Sequence, residues 1–271
     1  MRRSNIIGAL FAAGLAASAL YAQYARPKMT EGVGLDQKLN APVPLDLSFK
    51  DETGQLTPLR TYFGDKPVVI EMVYFGCTSL CPTTVYESVT SLRRVALEPG
   101  RDYDVIVVSF DPSDTPAKAA EQKADYNHVF GRSSFNAGWH FLTGDQASIS
   151  RLASAIGWRY HWDAATHQFV HAAGIMVATP EGKLSRYFYG TQFAPADLRM
   201  SLVDAAKHRI GSPVDYVLLF CFHYDATQGK YTLAIFNVLK LAAAATIIGL
   251  FSLIYFLMRK DKKWREVQHA G

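Results

Sequence analysis

Short, strongly apolar runs alternate with longer amphipathic stretches between residues 45 and 211. Two of the runs, 67–75 and 103–110, are almost continuously apolar and rich in β-branched residues, which is typical of strands buried in the centre of a sheet. Shorter runs bounded by turn residues predict two hairpins and one further strand. These strands are predicted at 45–49 and 56–59, at 139–142, and at 169–179 and 184–189.

Helices are predicted after most of the strands. Val85, Val89 and Leu92 share one face of a helix that can begin at Pro82, because proline is favoured in a first helical turn. Strands that alternate with helices and end in a hairpin favour an α/β fold, with a central mixed sheet and helices on both faces. The remaining helices are predicted at about 116–130, from residue 145 to about 156, and from Pro195 to about 211.

A net charge of +4 would suit a nucleic-acid-binding protein if it were spread over the chain. It lies at the two ends instead. Residues 1–26 hold three basic and no acidic side chains, and residues 259–271 hold five basic and two acidic ones. The interior is therefore slightly acidic, which argues against nucleic acid as a partner.

The basic ends flank two apolar segments. Residues 1–25 have the charged start and apolar body of a signal peptide and are also long enough for an N-terminal anchor. Residues 233–258 predict a transmembrane helix, with a buried core helix as the alternative, and the basic residues after it predict a cytoplasmic tail. In a bacterium this topology predicts an inner-membrane protein whose main domain is periplasmic. The predicted order is signal peptide or anchor (1–25), tether (26–44), folded domain (45–211), linker (212–232), transmembrane helix (233–258) and tail (259–271).

Cys77 and Cys81 lie in the turn between the strand predicted at 67–75 and the next helix. Because Pro82 disfavours helical geometry at Cys81, we expect this thiol at or just before the helix start, where the helix dipole lowers a thiol pKa. Three intervening residues allow either a disulfide or joint ligation of a soft metal ion, and the spacing does not choose between them. The alternative is a passive pair of buried thiols, or an inert disulfide, that has no chemical role.

Four motifs follow one another in the chain. They are Tyr74-Phe75-Gly76-Cys77-x-x-x-Cys81-Pro82, Val107-Val108-Ser109-Phe110-Asp111-Pro112-x-Asp114-Thr115-Pro116, Gly138-Trp139-His140-Phe141-Leu142-Thr143-Gly144, and Phe169-Val170-His171-Ala172-Ala173-Gly174 followed by Thr179-Pro180-Glu181-Gly182-Lys183. Over roughly residues 40–210 the chain thereby resembles the Sco/SenC family of copper-binding assembly factors for cytochrome c oxidase. A later run, Cys221-Phe222-His223-Tyr224-Asp225, resembles a branch of that family with a C-terminal membrane anchor. Cys221 and His223 are interpreted as linker residues near the membrane, or as a secondary metal or partner contact.

The resemblance implies a thioredoxin-like fold and a copper site made of Cys77, Cys81 and His171. Two thiolates and an imidazole suit Cu(I) and also tolerate Cu(II), although zinc would accept the same donors. His171 belongs to a run expected to pair beside the strand at 67–75, so it can lie near Cys81 in space.

The implied function is that of a membrane-anchored copper chaperone that assists the metallation of cytochrome c oxidase, with the CuA site of subunit II as the expected target. Expected partners are subunit II or another oxidase subunit, other copper chaperones or thiol-disulfide proteins, and the membrane. The alternative is a thiol-disulfide reductase in which Cys77 and Cys81 keep the oxidase cysteines reduced, so enzymatic activity stays open. A third hypothesis is peroxidase activity at Cys77, but the arginine and threonine signature expected around a peroxidase cysteine is missing. A fourth is a membrane-anchored interaction module in which the two cysteines form a structural disulfide.

Two departures from related patterns bear on the site. Thioredoxin-type oxidoreductases have a shorter spacer and a proline facing the dithiol, whereas Ala172 and Ala173 follow His171 and leave room for a ligand. Thr78 stands where commoner Sco members have proline, which bears on the choice of partner.

Four further polar residues are candidates for secondary roles. Asp111 and Asp114 are interpreted as caps of the helix predicted at 116–130, or as carboxylates that tune the site or meet a partner. His161 and His167 are predicted to lie in a polar turn, where either could serve as an auxiliary ligand.

Overall fold

A computed structural model of the protein describes residues 32–77, 80–211, 243–244 and 246–252. The strands in these ranges are β1 (Gly34–Leu35), β2 (Ser48–Lys50), β3 (Leu56–Pro58), β4 (Val68–Val73), β5 (Asp104–Ser109), β6 (Trp139–Leu142), β7 (Trp158–Asp163), β8 (Gln168–His171), β9 (Gly174–Ala178) and β10 (Leu184–Tyr189). The helices are a 3-10 helix (Leu59–Tyr62), α1 (Leu80–Arg93), α2 (Pro116–Phe130), α3 (Phe135–Gly138), α4 (Gln146–Ile156) and α5 (Pro195–Ala206).

A five-stranded mixed sheet with the order β10-β9-β4-β5-β6 forms the centre of the fold. β4, β5 and β6 run parallel, while β9 pairs antiparallel with both β4 and β10. All six residues of β4 and all six of β5 are buried, as their continuous apolar sequences predict. The α/β fold with a mixed sheet is confirmed.

Helices cover both faces of this sheet. Neighbouring strand residues point to opposite faces, so Val107 of β5 faces a cleft beside α1, while Phe110 packs against the rings of β7 and β8. On the first face α1 contacts both α2 and α5. On the second face the Tyr187 hydroxyl of β10 donates to the carbonyl of Ile156 at the end of α4.

A second, smaller sheet has the order β1-β7-β8. The single strand predicted at 169–179 is therefore wrong: its first part is β8, which pairs with β7, and its second part is β9, which pairs with β4. Ala172 and Ala173 join the two strands, and the chain changes sheets there. β7 was not predicted, although Trp158, Tyr160 and Trp162 alternate with polar residues at strand spacing.

Part of the predicted tether belongs to the fold. Gly34 and Leu35 form β1 and pair with Trp158 and Arg159 of β7. Leu35 and the neighbouring Val33 are buried, and this apolar contact holds the segment against the second sheet.

The carboxylates Asp111 and Asp114 do not cap α2, contrary to the first interpretation. The cap is Thr115, whose hydroxyl accepts the backbone N–H of Lys118 at 3.4 Å. Asp111 accepts the N–H of Ser113 within its own loop, and Asp114 turns toward the end of β4. Thr115 takes the capping position because it directly precedes Pro116, the first helical residue.

α4 has the capping that the sequence predicts, and its end directs the chain into β7. Asp145 accepts the N–H of Ser148 at the start of the helix. Gly157 ends the helix with φ +76°, and a Cβ there would come within 2.0 Å of the Asp36 carbonyl oxygen. Only glycine fits this turn without a backbone shift.

The predicted membrane segments lie largely outside the described residues, as do the linker and the tail. Within the predicted span of 233–258, residues 243–244 and 246–252 are helical and exposed. In the part of the chain that the structure describes, no helix has both the length and the apolar character needed to cross a membrane.

Glu71 is a fully buried carboxyl group in the centre of β4. Neither carboxyl oxygen has a hydrogen-bond partner among the described residues. The Ser88 hydroxyl on α1 acts to lower this pKa, but its proton is donated to the Val85 carbonyl, so it does not pair with the carboxyl group. Burial therefore raises the pKa of Glu71 to about 8.

Glu71→Gln should remove a pH dependence of stability. Between the ordinary carboxyl pKa of 4.5 and about 8, the folded chain holds a proton at Glu71 that the unfolded chain has released. Stability contributed by this site is therefore complete at low pH and falls as the pH rises. We expect the substitution to raise the free energy of unfolding by about 5 kcal/mol above pH 8, with little change near pH 5.

Urea unfolding followed across this pH range measures the effect. Glu121→Gln, on the exposed side of α2, is the control for the loss of one carboxyl group. A stability loss for Glu71→Gln that is equal at every pH would contradict the assignment of a buried neutral carboxyl group.

Candidate metal centre

Cys77 and Cys81 lie where the central strand β4 gives way to helix α1. Beyond β4, Tyr74 to Cys77 form a tight turn closed by the Cys77 N–H, which donates to the Tyr74 carbonyl at 3.1 Å. Cys81 is in the first turn of α1, one residue before Pro82. Both cysteines are buried, with exposed fractions of 8% and 3%, and no disulfide joins them.

His171 reaches the cysteines from the second sheet. It is the last residue of β8 and pairs with Tyr160 of β7, so it does not lie in the strand beside β4 as predicted. The change of sheet after β8 nevertheless brings its ring to the turn. His171 Nε2 lies 3.3 Å from Cys81 Sγ.

These three side chains form a compact donor set. One ligand atom from each of Cys77, Cys81 and His171 lies within 4.8 Å of the other two. His171 Nδ1 is 2.7 Å from the Ala172 carbonyl oxygen, which only accepts, so Nδ1 carries the ring proton. Nε2 keeps its lone pair and faces Cys81, which is the orientation that a metal ligand requires.

An aromatic wall, formed by Tyr74, Phe110 and Trp158, surrounds the His171 ring. Its centroid lies 5.2 Å from that of Phe110 and 6.0 Å from those of Tyr74 and Trp158. Trp158 stacks on the imidazole, with 27° between the ring planes. The wall limits rotation of the histidine and keeps water from one side of the donor set.

An apolar cleft between α1 and α2 borders both cysteines. Val85, Val107 and Phe141 contribute to its lining, as do both cysteines. The Tyr126 hydroxyl donates to the Pro82 carbonyl at 3.3 Å and ties α2 to the first turn of α1. The donor set thus contacts the aromatic wall through His171 and borders the apolar cleft through its two cysteines.

The prediction that the helix start lowers the pKa of Cys81 is wrong for the metal-free site. The hydrogen bond with Cys77 and the burial of the thiol raise the pKa of Cys81 above its usual range. The Cys81 N–H points to Cys77 Sγ at 3.5 Å, so this backbone donor serves the other sulfur. A cation bound between the sulfurs would offset the cost of burying negative charge there.

The structure does not bring the other candidate ligands into the donor set. His161 lies on β7 opposite Val170, and His167 lies in the turn between β7 and β8, with φ +52°. The ring of His167 packs near the exposed Trp162. Cys221 and His223 lie outside the described residues.

Comparisons with known proteins agree with this fold. Residues 36–206 match the model of the family described as SCO1/SenC. No curated protein matches the chain in a sequence comparison. Among solved structures, a putative electron transfer protein from Aquifex aeolicus is similar, with 24% identity and a TM-score of 0.56, covering 64% of this chain and 96% of that one.

Two further solved structures have the same architecture. A putative electron transport protein from Aquifex aeolicus is 24% identical, with a TM-score of 0.52, covering 64% of this chain and 100% of that one. Arabidopsis thaliana ScoI with copper bound is 16% identical, with a TM-score of 0.50, covering 63% of this chain and 99% of that one. At these identities the likeness shows a shared fold.

The closeness of Cys77 and Cys81 predicts an intramolecular disulfide on mild oxidation. The full chain has three cysteines, so diamide should lower the number of thiols titrated after unfolding from three to one. Cys221 supplies the remaining thiol. The Cys77→Ser variant has two thiols, Cys81 and Cys221, and diamide should leave both titratable. Oxidation that yields disulfide-linked dimers on a non-reducing gel, with no intramolecular bond, would contradict the geometry.

Proposed function

The chain belongs to the SCO1/SenC family, and from this we propose that it binds one copper ion through Cys77, Cys81 and His171 and takes part in the assembly of cytochrome c oxidase. The observation that carries the proposal is the convergence of two thiols and an imidazole nitrogen within 4.8 Å. Copper is the cargo of the proposed site and not a permanent cofactor.

The chemistry of the donors supports copper. Soft thiolate sulfur favours Cu(I), while imidazole nitrogen accepts both oxidation states. Zinc usually takes four protein ligands in a structural site, and among the described residues only these three form such a group. A fold neighbour, Arabidopsis thaliana ScoI, has been solved with copper bound.

Transfer of the ion requires an open approach to it. The aromatic wall shields His171, whereas the cleft beside Val85 and Phe141 borders both cysteines. We infer that an incoming thiolate of the acceptor approaches from the cleft and replaces the donors one at a time. Loading the site would release thiol protons, and the return of protons to Cys77 and Cys81 would favour release of the ion.

The acceptor that we propose is the CuA site of oxidase subunit II, with another oxidase subunit as the alternative. Other copper chaperones and thiol-disulfide proteins would load the ion or reduce the cysteines. A main domain in the bacterial periplasm, held by the segment at 233–258 with a cytoplasmic tail, is supported by the charge and hydropathy of the sequence.

A thiol-disulfide reductase that serves the oxidase cysteines is the second candidate, favoured by the closeness of the two sulfurs. In that reaction Cys77 and Cys81 form a disulfide and give two electrons and two protons to a disulfide of the partner. Such a reaction needs both cysteines but does not need His171.

His171→Ala therefore separates the two candidates. We expect the full-length protein in detergent to bind about one copper ion per chain and His171→Ala to lose at least about 100-fold in copper affinity, because one of three ligands is removed. Anaerobic copper titration, with elemental analysis after gel filtration, measures both. His161→Ala and His167→Ala are matched controls from the same hairpin and should bind copper normally.

Copper affinity unchanged in His171→Ala would contradict the proposed ligand set. A His171→Ala protein that has lost copper but still supports oxidase assembly in cells would instead favour the reductase. Cys77→Ala should fail under both hypotheses and serves as the negative control.

A further inference from the structure

Asp114 is a buried carboxylate beside the metal centre. It lies in the loop between β5 and α2, and its side chain is entirely buried although it belongs to a surface loop. Because Thr115 caps α2, helix capping does not account for this burial. A buried carboxylate is costly unless its oxygens are paired, so its contacts should explain why it is there.

The carboxylate joins three elements of the fold. Oδ2 accepts the backbone N–H of Phe75 at 2.7 Å and the hydroxyl of Ser109 at 2.6 Å. Oδ1 accepts Lys118 Nζ at 3.1 Å from the first turn of α2. The end of β4, the end of β5 and the start of α2 are thus tied to one side chain.

The bond to Phe75 lies where the parallel ladder between β4 and β5 stops. The last ladder bond runs from the Phe110 N–H to the Val73 carbonyl at 2.8 Å. Beyond it β5 leads into Asp111 and Pro112, and the carboxylate of Asp114 takes the place of a strand carbonyl as the acceptor for Phe75. A partly buried N–H at the end of a strand still needs such an acceptor.

Phe75 is the second residue of the turn that carries Cys77. Its N–H belongs to the same peptide unit as the Tyr74 carbonyl, which closes the turn by accepting the Cys77 N–H. Fixing that peptide therefore fixes the direction of the Cys77 backbone. It also holds the Tyr74 ring, which packs edge-on against His171 at 6.0 Å.

We propose that Asp114 is a positioning residue for the metal centre, which holds the peptide between Tyr74 and Phe75 so that Cys77 and the ring beside His171 keep their places in the donor set. Asp114 is not itself a ligand, because it is not a member of the converging group. Its negative charge strengthens the bond to Phe75, and the half-exposed Lys118 balances the charge. The expected effect of Asp114 on copper binding rests on the proposed function. The expected effect on the backbone at Phe75 does not depend on it.

The experiment compares Asp114→Ala and Asp114→Asn in the full-length protein. Asparagine keeps one oxygen that can accept the Phe75 N–H but loses the charge, so it should rescue in part. Asp102→Ala is the matched control, because Asp102 also accepts a backbone N–H, from Glu98 at 2.8 Å, and an arginine side chain. It lies near the start of β5, at the opposite end of the strand from the metal centre.

Two measurements separate positioning from simple stabilisation. Hydrogen–deuterium exchange of the peptide that contains Phe75 should be about 10-fold faster or more in Asp114→Ala, with Asp114→Asn between it and the wild type. The visible absorption band of the Cu(II) protein should shift, and copper should leave about 10-fold faster than from the wild type. The control should match the wild type in both.

A folded Asp114→Ala protein with normal exchange at Phe75, or with a normal band and normal copper release, would overturn the proposal, whatever its unfolding midpoint. If that variant does not fold, Asp114→Asn and Ser109→Ala decide by the same measurements. If the wild type binds no copper, the proposed function fails. The inference is then judged by exchange at Phe75 and by the rate at which diamide joins Cys77 and Cys81, which should change in the Asp114 variants only.

Discussion

The site depends on one long-range contact: the Sγ atom of Cys81 and the Nε2 atom of His171 lie 3.3 Å apart, although 90 residues separate them in the chain. The first is carried by the turn and helix that follow a buried central strand, the second by the end of a hairpin in another sheet. Neither sheet alone holds a complete donor set. The order of strands around β4, and the change of sheet after His171, are what make the metal centre.

The most local features were predictable from the residues. β4 and β5 are continuous apolar runs, and α4 has both its capping aspartate and its terminal glycine, so their burial and bounds follow from short-range rules. The cysteine pair was also evident, because two thiols in a turn between a strand and a helix need a chemical explanation. His171 was identified through its motif.

The features that the residues alone did not predict depend on tertiary contacts. The boundary between β8 and β9 falls at two small residues with no turn signal, so the run at 169–179 resembled one strand. The pKa of Cys81 is raised, opposite to the direction expected from the helix start, because the hydrogen bond with Cys77 and the burial of the thiol both favour its neutral form. Asp114 resembled a helix cap, and only the end of the β4 ladder shows why its carboxylate is buried.

The proposed function requires that two thiolates and one imidazole hold the same copper ion. X-ray absorption at the copper edge, on the full-length protein loaded with one equivalent of Cu(I), tests it most directly. We expect a first coordination sphere of two sulfur atoms and one nitrogen atom, with the nitrogen lost in His171→Ala. A sphere of sulfur alone, or one dominated by oxygen or nitrogen and unchanged by that substitution, would contradict it.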